Sequence, residues 1–137
     1  MTLGLRNNNP LNIRRVAGTK WKGQRTEQTD KSFVQFESLE WGLRAAFCIL
    51  DTYRRKYQDV CVEDIIARWA PPSENATSEY IRTVCRLTGF GGKERLEESQ
   101  LPALVCAMAF VECGAHISKE TINKAYSLYV KLKSNSK

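Results

Sequence analysis

From residue 38 towards the C-terminus, apolar residues recur every three to four positions, and this helical period limits the fold more than any other feature of the sequence. Ser38, Thr77 and Ser118 stand where the N-caps of helices are expected. Period and caps together predict five helices, at Ser38 to about Tyr57, Val62–Trp69, Thr77–Leu87, Leu101 to about Cys113, and from Ser118 into the C-terminal region. The fourth helix is apolar nearly all round, so we expect it to be the buried central helix.

The first quarter of the chain follows a different pattern. Residues 12–16 and 32–36 alternate between apolar and polar side chains, as half-buried strands do, and residues 21–24 form a third short segment. These segments predict a small antiparallel sheet of two or three strands. We therefore expect an α+β fold that is mostly α-helical, with a small N-terminal β-element followed by about five helices. The length predicts a single domain that spans residues 1–137.

The segment Arg6–Arg14 contains four asparagines, two arginines and a proline in nine residues, a composition that suits neither a helix nor a strand. Pro10 also disfavours helical geometry at Asn9. The segment is therefore predicted to be a rigid, irregular loop. Its amides can either cap turns of the chain itself or bind a polar ligand, and the sequence leaves both interpretations open.

The formal net charge of +6 is concentrated in the first 31 residues and in the last helix. A basic surface favours a polyanionic partner, such as nucleic acid, a membrane surface or an anionic polymer of a cell wall. Charge alone does not choose among the three, but nucleic acid is not the expected partner, because the chain has no helix-turn-helix spacing and no aromatic RNA-binding signature. No apolar run approaches the roughly 20 residues of a membrane span, so none is expected.

Chemistry that needs a metal ion, a cofactor or a histidine triad is not expected. The chain has one histidine, His116, and five cysteines without CxxC spacing, a pattern that does not suit a zinc site. The first residues lack the apolar segment of a signal peptide, which predicts synthesis in the cytoplasm. Any action elsewhere would then need a separate route of export or release.

Two glutamates are candidates for the general acid that a glycosidase uses. Glu40 lies at the predicted junction of sheet and helices, beside Trp41, although a first-turn carboxylate that stabilises the helix dipole is the commoner case. Glu74 lies in a loop stiffened by Pro71 and Pro72, although a plain connection between helices is again the commoner case.

A third glutamate, Glu112, lies near the end of the apolar helix, where we expect a structural ion pair with Arg44, Arg68 or Arg82. The larger aromatic residues usually belong to the core when they recur at helical spacing. The alternative is that they line a carbohydrate groove; the residues concerned are Trp21, Trp41, Trp69 and Tyr80.

Several of these segments together resemble a family of phage and prophage proteins whose N-terminus typically reads G-[IL]-R-N-N-N-P-G-N-I. Members are often described as phage structural proteins and look related to lysozyme-like domains that degrade cell walls. The chain departs from the pattern at Leu11, where the family has glycine. The resemblance extends over nearly the whole chain, and the matching residues lie in the segments Gly4–Arg14, Trp21–Gly23, Phe33–Ala45, Ile65–Ile81 and Glu112–Gly114.

The resemblance implies a lysozyme-like fold that binds peptidoglycan and cleaves its glycan strand with a glutamate as general acid, either as a lysozyme or as a lytic transglycosylase. Glu40 is the first candidate for that acid, and Glu74 is its partner or the alternate acid. The predicted substrate-binding residues are Arg6, Asn7, Asn8, Asn9, Asn12, Trp21, Trp69 and Tyr80.

Two other functions remain open. The protein could be a non-enzymatic cell-wall-binding module or a virion structural protein that keeps the same fold, since fold alone does not establish activity. It could also bind nucleic acid, which only the charge favours. For the glycan-cleaving enzyme and for the non-enzymatic protein alike, the expected partner is peptidoglycan or another anionic wall polymer. The protein would then act at the cell wall after release or as part of a virion.

Overall fold

Six α-helices follow one another along the part of the chain that the computed structural model describes, residues 1–73 and 75–135. They are α1 (Leu3–Arg6), α2 (Leu39–Tyr57), α3 (Val62–Trp69), α4 (Thr77–Thr88), α5 (Leu101–Cys113) and α6 (Lys119–Asn135), with one turn of 3₁₀ helix at Glu98–Gln100. The five predicted helices are confirmed as α2 to α6. The four-residue α1 has no counterpart in the sequence pattern, because it is too short to show a period.

Two of the three predicted N-cap residues cap their helices in the structure. The Ser38 hydroxyl accepts a hydrogen bond from the Trp41 N–H at 3.3 Å, and the Ser118 hydroxyl accepts one from the Thr121 N–H at 3.1 Å. Both serines therefore cap the helices that follow them. Thr77 differs from the prediction, since it is the first residue of α4 and its hydroxyl donates to the Ala70 carbonyl oxygen instead.

The core surrounds α5, as its apolar composition predicts. Its buried side chains include Leu104, Val105 and Met108, and α4 packs against one side of it. The helices α2 and α6 also contact α5 and pack along each other, with the Phe47 ring 5.1 Å from the Tyr126 ring and 5.7 Å from the Tyr129 ring, centroid to centroid. A helix that is mostly buried in this way lacks the broad polar face that surface helices keep.

The prediction of an α+β fold is wrong, and the fold is all-α. Within residues 1–73 and 75–135 the N-terminal region forms two isolated antiparallel bridges, Arg14 with Phe33 and Gln24 with Phe36, and no strand. The predicted N-terminal β-element of a lysozyme-like fold is therefore not formed. Residues 7–38 instead make an irregular layer that packs on the helical body through Leu11, Ile13 and Phe36.

Side-chain amides replace the hydrogen bonds of a sheet in this layer. The Gln28 side-chain amide donates to the carbonyl oxygens of Arg25 and Gln35 at 2.9 and 2.8 Å, and its oxygen accepts from the Gln35 N–H at 2.8 Å. The Gln35 side-chain oxygen in turn accepts from the Thr29 N–H at 2.6 Å. Glutamine side chains thus satisfy backbone groups that a neighbouring strand would otherwise pair, so the alternating pattern does not lead to a ladder.

The irregular layer is expected to be sensitive to acid because of Asp30. Hydrogen bonds from the Phe33 and Ser32 N–H groups, both 2.8 Å long, lower the pKa of Asp30 below its usual 3.8. Its stabilising contribution is therefore present above that value and is lost as the pH falls through the folded-state pKa. Asp30→Asn should have a lower urea midpoint than wild type at neutral pH, and the difference should vanish in acid.

Urea midpoints measured along a pH series from neutral to strongly acidic would check this prediction, with Glu27→Gln as the control. Glu27 is an exposed acid in the same layer. Its variant should run parallel to wild type throughout. A difference between Asp30→Asn and wild type that stays constant down to the lowest pH would contradict the assigned role of Asp30.

Candidate functional site

The asparagine-rich segment after α1 mostly binds the chain itself. Asn9 is completely buried, and its amide nitrogen donates to the carbonyl oxygens of Ile13 and Val34 at 2.9 and 2.8 Å. Its amide oxygen accepts from the Ile13 N–H at 2.9 Å. Asn7 is also buried, and its oxygen accepts from the Gln35 amide at 3.0 Å. The amides of Asn7 and Asn9 are therefore occupied in holding the irregular layer together.

Two asparagines give the segment its turns. Asn8 and Asn12 have φ values of 53° and 54°, a left-handed conformation that asparagine tolerates better than most residues. Leu11 does not share this conformation and is 1 % exposed in the core. The leucine that departs from the family pattern thus fits without backbone strain. The second turn aims the Asn12 side chain at the C-terminal end of α5.

Glu112 lies at that end of α5 and is held by three side chains. The Asn12 amide nitrogen donates to its Oε1 at 3.3 Å and to its backbone oxygen at 3.2 Å. Trp69 Nε1 and the Tyr80 hydroxyl both donate to its Oε2, at 3.3 and 3.1 Å. Donors from the loop, from α3 and from α4 therefore fix the direction of one partly buried carboxylate.

Tyr80 is a dependable donor in this group. It is 7 % exposed, and burial together with the negative charge of Glu112 raises its pKa far above the usual value. The phenol therefore stays protonated at every pH at which the protein would act. Its proton is directed at Oε2 of Glu112.

A cleft of about 640 Å³ opens above Glu112. Aromatic rings, two arginines and two asparagines form much of its wall, which includes Trp21, Phe33, Tyr53, Trp69, Arg14, Arg68, Asn12 and Asn75. Glu112 is the one acidic side chain among the described residues that line it. Flat aromatic faces beside amides and one carboxylate are suited to a saccharide, which offers C–H faces and hydroxyl groups.

Only some of the predicted site residues lie at the cleft. Trp21, Trp69 and Asn12 line the cleft, and Tyr80 lies behind it against Glu112. Glu40 lies in the first turn of α2, outside the lining of this cleft. The remaining predicted binding residues lie outside the lining too; they are Arg6, Asn7, Asn8 and Asn9. Glu74 falls outside the residues that the structure describes.

The expected ion pair of Glu112 is not formed with any of the three arginines. Arg68 pairs with Asp59, Arg82 pairs with Glu79, and Arg44 is buried within α2. The sequence signal for the real environment is weak, because the side chains that hold Glu112 are 32, 43 and 100 residues away along the chain. Only its position as an acid at the end of an apolar helix marks it.

Neither a metal centre nor a membrane helix is recorded in the described part of the chain. Among residues 1–73 and 75–135 no cluster of three or more His, Cys, Asp or Glu side chains could bind a metal ion. None of the helices there is both long and apolar enough to cross a membrane.

Comparison with known proteins gives one informative relative. No protein-family model matches the chain. The chain is similar to protein P5 of Pseudoalteromonas phage PM2, with 42 % identity over 115 residues. The matched region covers 82 % of this chain and 72 % of the phage protein. A similarity of this extent includes most of the helical body, and the name of the relative states no activity.

Proposed function

The chain belongs to the family of protein P5 of Pseudoalteromonas phage PM2, and from this premise we propose that it binds a glycan strand of the bacterial cell wall in the Glu112 cleft and cleaves it there. The phage origin of the relative makes a bacterial envelope the natural target. The positive charge of the chain suits an anionic wall. Peptidoglycan is the wall polymer whose strand offers both sugar faces and acidic groups to such a cleft.

The observation that carries the proposal is the fixed carboxylate at the floor of an aromatic cleft. Asn12, Trp69 and Tyr80 hold Glu112 in one orientation, and Trp69 also forms part of the wall over which a sugar ring could stack. A general acid–base group has to lie within hydrogen-bond reach of the bond it acts on. A saccharide bound in this cleft would meet that condition at Glu112.

The described lining of the cleft contains one carboxylate, that of Glu112, and this favours a lytic transglycosylase over a hydrolase. Most glycoside hydrolases use two carboxyl groups on either side of the bond. A transglycosylase needs one, because a hydroxyl group of the sugar itself attacks and the same residue can first donate and then accept a proton. Glu112 is therefore the proposed acid, while the assignments of Glu40 and Glu74 stay predictions that the same experiment tests.

A second candidate function is a virion or wall-binding protein without catalysis. Its supporting observation is that both carboxylate oxygens of Glu112 already accept hydrogen bonds from the protein. A carboxylate held in this way can serve to bind sugar hydroxyl groups or to join the loop, α3, α4 and α5. The cleft would then recognise a strand and leave it intact.

Mass spectrometry of the fragments released from purified sacculi tests the proposal. Wild type should release muropeptides, and Glu112→Gln should reduce the rate about 100-fold or more, as the loss of a general acid typically does. Glu120→Gln, an exposed substitution of the same kind in α6, should act as wild type does. Glu40→Gln and Glu74→Gln complete the set, and anhydro ends on the fragments would identify a transglycosylase.

The other outcomes are equally informative. Full activity in Glu112→Gln, with activity lost in Glu40→Gln or Glu74→Gln, would move the acid to that residue. Sacculi that bind wild type without releasing fragments would establish the second candidate function. Sacculi that neither bind the protein nor release fragments would reject both candidates.

A further inference from the structure

We propose that Arg68 recognises a carboxylate carried by the bound strand, so that the cleft prefers a glycan bearing acidic peptide stems over a bare neutral glycan. The inference rests on the proposed function and specifies its substrate. It concerns the wall of the cleft rather than the reacting group. Arg68 is a specificity-determining residue in this proposal, and its recorded ion pair is with Asp59 rather than with Glu112.

Arg68 is held in place from one side. Its Nε donates to the carboxylate of Asp59, which is 6 % exposed and lies in the turn between α2 and α3. Its guanidinium carbon also lies 3.6 Å from the centre of the Tyr57 ring and 5.8 Å from that of Tyr53. An ion pair and two rings thus hold the plane of the guanidinium group, and little side-chain freedom remains to be lost on binding.

The other side of Arg68 is available to a ligand. The Arg68 side chain is 40 % exposed to solvent and forms part of the cleft wall. Among residues 1–73 and 75–135, the structure records a hydrogen bond for Nε of Arg68 and none for its two terminal nitrogens. A guanidinium group with its inner edge engaged can still present its outer nitrogens as a fork, the geometry that fits a carboxylate in a bidentate pair.

The charge of the cleft agrees with an acidic ligand. Arg14 also lines the cleft, and its guanidinium carbon lies 5.1 Å from the centre of the Phe33 ring. Two guanidinium groups therefore face one carboxylate, that of Glu112, in the described lining. Asp59 pairs with Arg68 from outside this lining, so the terminal nitrogens of Arg68 and the guanidinium group of Arg14 are the cationic groups that the carboxylates of a peptide stem would meet in the cleft.

Binding of matched soluble ligands tests the inference. The three probes are a disaccharide-peptide muropeptide, the same muropeptide with its carboxylates converted to amides, and a neutral tetrasaccharide of N-acetylglucosamine. Titration calorimetry should show wild type binding the acidic muropeptide about tenfold more tightly than the amidated one, as the loss of one charged hydrogen-bonded pair implies.

Arg68→Lys is the variant of choice because it keeps the positive charge and a donor for the buried Asp59. A lysine ammonium cannot pair with Asp59 and present a fork to the ligand at the same time. The tenfold preference should fall to about twofold in this variant. Arg82→Lys is the matched control, since Arg82 pairs with Glu79 on α4 outside the cleft, and it should keep the full preference.

Failure of the inference can be told apart from failure of the proposed function. Equal binding of the acidic and amidated muropeptides by wild type would overturn the role of Arg68 and leave glycan binding intact. A full preference in Arg68→Lys would overturn it as well. Absence of binding to all three probes would reject glycan binding in the cleft, and the inference would fall with it.

Discussion

Asn9→Ala is expected to lower the free energy of unfolding by about 3–5 kcal/mol, because the substitution leaves the buried Ile13 N–H and Val34 carbonyl oxygen without a hydrogen-bond partner. The Asn9 amide makes three hydrogen bonds, two to Ile13 and one to Val34, in a site with no solvent exposure. Each buried donor or acceptor left unsatisfied costs about 1–3 kcal/mol. A loss of this size is a large part of the 5–15 kcal/mol that typically stabilises a domain.

Urea denaturation followed by circular dichroism would measure the loss. Asn123→Ala is the control, since Asn123 is exposed on α6 and its substitution should change the free energy of unfolding by less than about 0.5 kcal/mol. Asn9→Asp should also be destabilising, because a carboxylate cannot donate to the two carbonyl oxygens that Asn9 binds. Unfolding free energies within 1 kcal/mol of wild type for both Asn9 variants would contradict a structural role.

The helices could be predicted from the sequence because their signals are local. A serine with its hydroxyl three residues from the N–H that it caps, as at Ser38, is visible within one turn of sequence. The same holds for the apolar composition of α5. The irregular layer was wrongly predicted to be a sheet. The alternation at residues 32–36 does not reveal that the Gln28 and Gln35 side chains satisfy the backbone there.

The candidate site could be predicted only in part, for the same physical reason. Asn12, Trp21 and Trp69 carry side chains that suit a saccharide, and residue type alone made them candidates. The role of Glu112 depends on a contact with Asn12 across 100 residues, and no local pattern reports such a contact. Glu40 stays a prediction: it lies in the first turn of α2, outside the lining of this cleft.

Gly42→Ala is expected to destabilise the protein by about 3 kcal/mol, although alanine is normally preferred to glycine inside a helix. A Cβ atom at Gly42 would lie 1.9 Å from the backbone oxygen of Asn8 and 3.3 Å from the Phe36 ring. The clash is with backbone that is itself fixed, because Asn7 accepts a hydrogen bond from the Phe36 N–H at 2.8 Å. The asparagine-rich segment and α2 would have to separate.

Thermal and urea denaturation would measure this loss against Gly91→Ala. The nearest atom to a Cβ at Gly91 is 3.6 Å away, in ordinary contact, so that variant should be neutral or gain up to about 1 kcal/mol. Because the segment that Gly42 contacts leads directly to Asn12, Gly42→Ala should also weaken glycan binding in the cleft. A stable Gly42→Ala protein would show that the segment can move away from α2 at little cost, and the orientation of Glu112 would then not depend on this contact.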